Sequence, residues 1–146
     1  MGTRFIIFSG MKWIWLLVGL GLFHGAWAAD ATAKVEGFDD FLLDFMENAE
    51  YQKSRIQFPL LSLTLQMETD RFDSTKVEKA QWKYNDFKIL RTGIQVRQYD
   101  SFERKLRNTD ERVISLIGND NGMLYSYFFK RIDGRWFLIR ILDESS

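Results

Sequence analysis

The sequence predicts an α+β domain, and three observations carry that prediction. Phe38, Phe41, Leu42, Phe45, Met46 and Ala49 recur three or four residues apart, the spacing of one apolar helix face. The last third reads as two apolar strands, residues 123–132 and 135–142, joined by Asp133-Gly134, the preferred two-residue hairpin loop. No internal repeat, low-complexity tract or linker separates these parts, so residues 38–146 are expected to form one domain.

The N-terminal segment stands apart. Arg4 and Lys12 supply positive charge, and residues 13–23 are an unbroken apolar run. That run is shorter than the ~20 residues needed to span a bilayer. Ala26 and Ala28 then place small residues third and first before a cut after Ala28, the pattern of a signal-peptidase site. Residues 1–28 therefore read as a cleaved secretory signal and residues 29–37 as a short tether. Met11-Lys12 would itself open a compact signal, so Met1 and Met11 are both candidate starts. An uncleaved N-terminal anchor is the competing reading. The expected location is periplasmic or extracellular, with no stable membrane anchor after cleavage and no lipid attachment through cysteine, since the chain has none.

Within the domain, Asp39, Asp40 and Asp44 suit the N-terminal half of the first helix, where negative charge meets the helix dipole. Residues 51–56 either extend it or form another helical turn. Phe58-Pro59 interrupts helix, because proline lacks an N–H and biases its predecessor away from the α region. Leu61, Leu63, Leu65 and Met67 alternate with Ser62, Thr64 and Gln66 as a half-buried strand. Residues 67–75 read as polar and turn-rich. Residues 76–90 are ambiguous, with Val77, Ala80, Gln81, Tyr84 and Phe87 on a helical face. Residues 94–102 and 113–117 read as strands, and residues 119–122 as a turn.

The tight loop fixes a hairpin register. Counting back from it sets Phe129 opposite Leu138, Phe128 opposite Ile139, Tyr127 opposite Arg140 and Tyr125 opposite Leu142. Tyr125, Tyr127, Phe129, Trp136, Leu138 and Arg140 would then share one face, with Phe128, Ile139 and Ile141 on the other. Both faces are largely apolar, so the sheet needs two covers: helices on one side, and a second layer, a partner subunit or a ligand on the other.

Composition removes several chemistries. Twenty basic residues balance twenty acidic ones, which argues against a protein built to grip nucleic acid. Residues 97–112 interleave basic and aromatic side chains, yet Asp100, Glu103, Asp110 and Glu111 neutralise them. Having no cysteine excludes thiolate nucleophiles and Cys-ligated metals, and His24, the one histidine, lies within the signal. Asp120-Asn121-Gly122 lacks the ligand count of a calcium loop. Neither metal nor cofactor is expected.

The Phe-striped helix, the run Ser54-Arg55-Ile56-Gln57-Phe58-Pro59-Leu60, Trp82 and the terminal hairpin from Tyr127 to Leu138 together resemble an uncharacterised family of exported Bacteroidetes proteins. That family, a domain of unknown function, is similar to the nuclear-transport-factor-2-like (NTF2-like), or cystatin-like, superfamily. The resemblance spans about residues 38–143. It implies a cone in which a curved antiparallel sheet packs on the N-terminal helix or helices, with a pocket in its mouth. Many members are lipoproteins, whereas this chain lacks the lipobox cysteine.

Five residues are candidates for ligand binding. Tyr125, Tyr127 and Arg140 would place phenols and a guanidinium together on a pocket-facing strand pair, suited to a carboxylate or a sugar; a cross-strand cation–π pair is the structural alternative. Arg55 either anchors a ligand, caps the last turn of the first helix or reaches an acid in the core, and Trp82 either stacks on a sugar or packs in the core or sheet. Asp39 and Asp40 point about 100° apart on a helix and do not make a facing carboxylate pair. The expected function is that of an exported, non-catalytic domain binding a small polar ligand or a protein partner through a pocket or open sheet face. A homodimer through that face is the partner of the same kind. The alternative is an acid/base enzyme of the isomerase or hydrolase type, pairing a pocket carboxylate with a tyrosine.

Overall fold

A computed structural model describes residues 35–85 and 93–146. The proposed signal, most of the tether and the Phe87 position of the ambiguous segment lie outside the described residues. Two helices, α1 (Phe38–Glu47) and α2 (Ala49–Ser54), precede six strands: β1 (Ile56–Gln66), β2 (Arg71–Val77), β3 (Ile94–Tyr99), β4 (Glu111–Gly118), β5 (Leu124–Ile132) and β6 (Arg135–Asp143). They form one curved sheet in the order β2-β1-β6-β5-β4-β3. Four ladders are antiparallel, but β1 and β6 run parallel, so the sheet is mixed.

The apolar stripe does what its spacing predicts as far as Met46, while Ala49, expected to continue it, is exposed at the start of α2. Phe38, Phe41 and Phe45 are buried, and all three rings surround Phe129 of β5, with centroids 5.5, 5.7 and 5.5 Å away. Trp136, Leu138 and Leu60 complete this core at 1 % exposure or less. Aromatic pairs in such tilted and edge-on arrangements add to the area they bury. The face of the sheet against α1 is called inner below, and its opposite outer.

Asn48 separates the helices. Its side chain accepts a hydrogen bond from the Tyr51 N–H at 2.9 Å, capping α2, so the second helical turn is a helix of its own. Strand β1 begins before Pro59 rather than after it. The ladder to β6 shifts register between Ile56 and Leu61, and a proline is tolerated at such an irregularity because no ladder N–H is required of it.

Two expectations require correction. Residues 71–77 form β2, although 71–75 read as part of a polar turn region and 76–77 as the start of the ambiguous segment. This strand is the sheet's outer edge and is exposed along nearly its whole length, so neither face imposes apolar alternation on it. Residues 78–85, within the segment that read as ambiguous with a helical face, contain no helix: a turn at 78–81 is followed by residues 82–85 in neither helix nor strand. The Asp133-Gly134 loop is as predicted, with φ of 48° and 77°.

The hairpin register is also corrected. The pairs Ile132–Arg135 through Phe129–Leu138 are as counted, but the ladder then slips by one residue between Phe128 and Phe129. Ile139 is the extra residue of a β-bulge, so Phe128 lies opposite Arg140, Tyr127 opposite Ile141 and Tyr125 opposite Asp143. Because strand side chains alternate with a period of two, every β6 residue beyond the bulge changes face.

Candidate functional site

Placement of the five candidate residues follows from that bulge. Tyr125 and Tyr127 lie on the inner face, with Leu116 and Ile114 beside them on β4 and Asp143 and Ile141 beside them on β6. Arg140 stands on the outer face, so the expected cluster of two phenols and a guanidinium does not form. Arg55 is remote from both tyrosines and already engaged. Its Nη2 donates to Glu36 Oε1 at 2.7 Å and to the Tyr51 hydroxyl at 3.1 Å.

Trp82 does join the inner site, through a polar network built on Gln52. Gln52 is fully buried at the end of the α1–α2 stripe, seven residues after Phe45. Its Nε2 donates to the carbonyls of Phe45 at 2.9 Å and Asn85 at 2.8 Å. Its Oε1 accepts from Trp82 Nε1 and from the Asn85 N–H, both at 3.1 Å. Asn85 Nδ2 in turn donates to the Tyr127 hydroxyl at 3.2 Å. One glutamine thus ties the second helix to the irregular segment after β2, and through Asn85 to the middle of the sheet. The Trp82 ring packs edge-on to Phe58 at 6.4 Å.

Tyr127 is 5 % exposed, and burial pushes its phenol up to about 12, with the Asn85 hydrogen bond pulling the other way. Tyr125 is half-buried toward the rim. Its phenol is raised first by burial and then by the neighbouring Asp143 carboxylate, acting both as hydrogen-bond acceptor and as negative charge. Asp143 is held in turn by the Ser145 N–H, which donates to its Oδ1 at 3.0 Å. Met123, Ile94 and Ile141 flank this pair as partly buried apolar groups. The inner face therefore offers a carboxylate and a phenol at the edge of an apolar floor, with a second, neutral phenol beneath.

Two surface depressions lie elsewhere, beside the Asp133-Gly134 loop. One, of about 290 Å³, is lined by Glu36, Asp40, Asp44, Tyr51 and Arg135. The other, of about 470 Å³, lies between Gln57, Ile132, Arg135 and Phe137. Neither includes any of the five candidate residues.

Sequence reasoning overlooked Gln52, Asn85, Asp143 and Glu36. Gln52 left a signal, being a polar residue on the continued apolar stripe of the helices. Asp143 left none, since its face depends on the bulge.

A family model described as "Domain of unknown function (DUF4348)" matches residues 28–143. The chain belongs to this family. No curated protein matches a DUF4348 chain of this sequence. Among solved structures, an NTF2-like protein from Bacteroides fragilis is similar over 77 % of this chain, with a TM-score of 0.57 and 20 % identity. This DUF4348 chain spans 49 % of that protein's length. A protein from Bacteroides uniformis is similar over 75 % of this chain and 77 % of its own, with a TM-score of 0.50 and 21 % identity. At these identities the likeness establishes the fold: the DUF4348 domain is NTF2-like, as its resemblance implied.

Proposed function

We propose that this DUF4348 chain is an exported, non-catalytic domain that binds a small polar ligand rich in hydrogen-bond donors, at the inner-face rim formed by Tyr125 and Asp143. The observation that supports this most is the sorting of charge by face. The bulge sets Asp143 beside Tyr125 and sends Arg140 to the other side. The inner-face neighbours of Asp143 on β1 and β5 are Thr64 and Tyr125, so a carboxylate ligand would meet negative charge with no cation adjacent on those strands. Hydroxyl or amine groups suit the site better, since Asp143 accepts from them and the phenol both accepts and donates. The Trp82–Gln52–Asn85–Tyr127 network supports that floor rather than reaching for the ligand.

The test is an NMR titration of the purified protein with glucose, glucosamine and acetate. Shifts centred on Tyr125 and Asp143 with glucose or glucosamine, lost in Asp143→Asn, are expected. A response at these residues to acetate alone, or to none of the probes, overturns the reading. Export is tested by sequencing the N-terminus of the protein recovered from its host. A start at Ala29 is expected, and a product that retains residues before Trp13 contradicts it.

The same pair favours one second reading, acid/base catalysis with Asp143 as base and Tyr125 as proton donor. Turnover of a bound probe that Asp143→Asn abolishes while binding persists would select it.

A further inference from the structure

On the outer face, Arg140 differs from the other half-buried arginines. Arg55, Arg112 and Arg131 each have a carboxylate within ion-pair distance: Glu36 at 2.7 Å, Asp100 at 3.4 Å and Asp110 at 2.5 Å. Arg140 has none among the described residues, and its Nε is buried without a hydrogen-bond partner. A buried donor left unmet carries a desolvation cost that native structures seldom leave uncompensated. Its guanidinium is fixed in place, lying 3.8 Å over the Phe128 ring and 5.8 Å from that of Phe102. Because that Nε is sealed from solvent, an incoming carboxylate would meet the fixed fork through its Nη groups.

The surroundings select what carries that carboxylate. Leu61 pairs with Arg140 across the parallel ladder, and Leu63 pairs with Leu142. Leu61, Leu63 and Leu65 point to the same side of β1 and run away from the guanidinium for about 13 Å at the usual strand rise. The next charge along the row of Arg140 and Leu61 is Lys76 of β2, also positive. A negatively charged head is therefore attracted at one end of the stripe, and an apolar body is accommodated along it.

We propose that the outer face binds an alkyl carboxylate, its head on Arg140 and its chain along Leu61, Leu63 and Leu65. This site is independent of the inner-face ligand. The experiment is calorimetric titration of the purified protein with decanoate, decan-1-ol and acetate. Decanoate is expected to bind at least tenfold more tightly than acetate, and at least tenfold more weakly to Arg140→Gln than to the natural protein. Decan-1-ol should bind both proteins alike, and Asp143→Asn should leave decanoate binding unchanged. An affinity for decanoate unaltered by Arg140→Gln, or equalled by acetate, overturns the proposal. Amide shifts in the natural protein provide a check that needs no variant. Decanoate should move Leu61, Leu63 and Phe128, and movement confined to Tyr125 and its inner-face neighbours would refute the assignment.

Discussion

The Glu36 carboxylate holds the Arg55 guanidinium at 2.7 Å with one oxygen and, with the other, accepts the backbone N–H of Trp136 at 2.7 Å. The Glu36 carbonyl accepts from the Trp136 indole at 3.0 Å, and its N–H donates to the Gly134 carbonyl, also at 3.0 Å. Residue 36 thereby sews the segment before α1 to the start of β6. Both charged side chains are mostly buried, at 12 % and 20 % exposure. Glu36→Ala would strand Arg55 and the Trp136 N–H, and a loss of about 2–3 kcal/mol is expected in urea unfolding. Glu36→Gln, which keeps one of the two acceptor oxygens, should lose less. Equal stability of all three proteins would show that the contact contributes nothing.

Tyr127 makes stability depend on alkaline pH. Its folded-state pKa of about 12 exceeds the ordinary tyrosine value of 10. Folding therefore favours the protonated phenol, a contribution fully present below pH 10 and lost as pH rises toward 12. The difference amounts to roughly 3 kcal/mol. Ultraviolet titration should show a late-ionising tyrosine, and Tyr127→Phe should flatten the fall of the urea midpoint over that interval. A fall of the same size in the variant would assign it to other groups.

The outer face holds a hydroxyl pair that should behave non-additively. Ser115 and Ser126 lie across the β4–β5 ladder at 2 % and 0 % exposure, with their oxygens 2.9 Å apart. Either single change to Ala leaves one buried hydroxyl without this partner and is expected to cost about 1–2 kcal/mol. The double change removes both polar groups and should cost less than the two singles together. Strict additivity in a double-mutant cycle would count against the pairing.

Two glycines with positive φ separate backbone strain from crowding. Gly134 has φ of 77° and open space where a Cβ would stand, so Gly134→Ala should cost about 1 kcal/mol from conformation alone. Gly122, with φ of 66°, would direct a Cβ into the backbone of Ser146, whose N–H donates to the Gly122 carbonyl at 2.9 Å. Gly122→Ala should therefore lose more, measured as thermal midpoint. The reverse order would contradict this account.

What was legible in the sequence depended on whether one face of an element is buried. Helix α1 was written in Phe38, Phe41 and Phe45 because a buried stripe repeats with the helical turn. The tight loop was written in Asp133-Gly134 because few residues accept its φ values. Edge strand β2 was illegible, since a strand exposed on both faces has no period to display. The inner site failed at Ile139: correct turn chemistry fixed four pairs, and one unpaired residue then exchanged Arg140 for Asp143. Local sequence carries no mark of that bulge. Glu36 was hidden for another reason, its partner Trp136 being 100 residues away.

The parallel ladder between β1 and β6 bears on the order of folding events. The second seam of the sheet joins its earliest strand to its last, while β1's other neighbour is the exposed β2. Closing that seam requires nearly the whole described chain, so the fold has high contact order, and little of its core is available to a partly emerged polypeptide. Such late closure suits the proposed export, since a chain that must wait for β6 before it can bury β1 is still unfolded when only part of it has emerged.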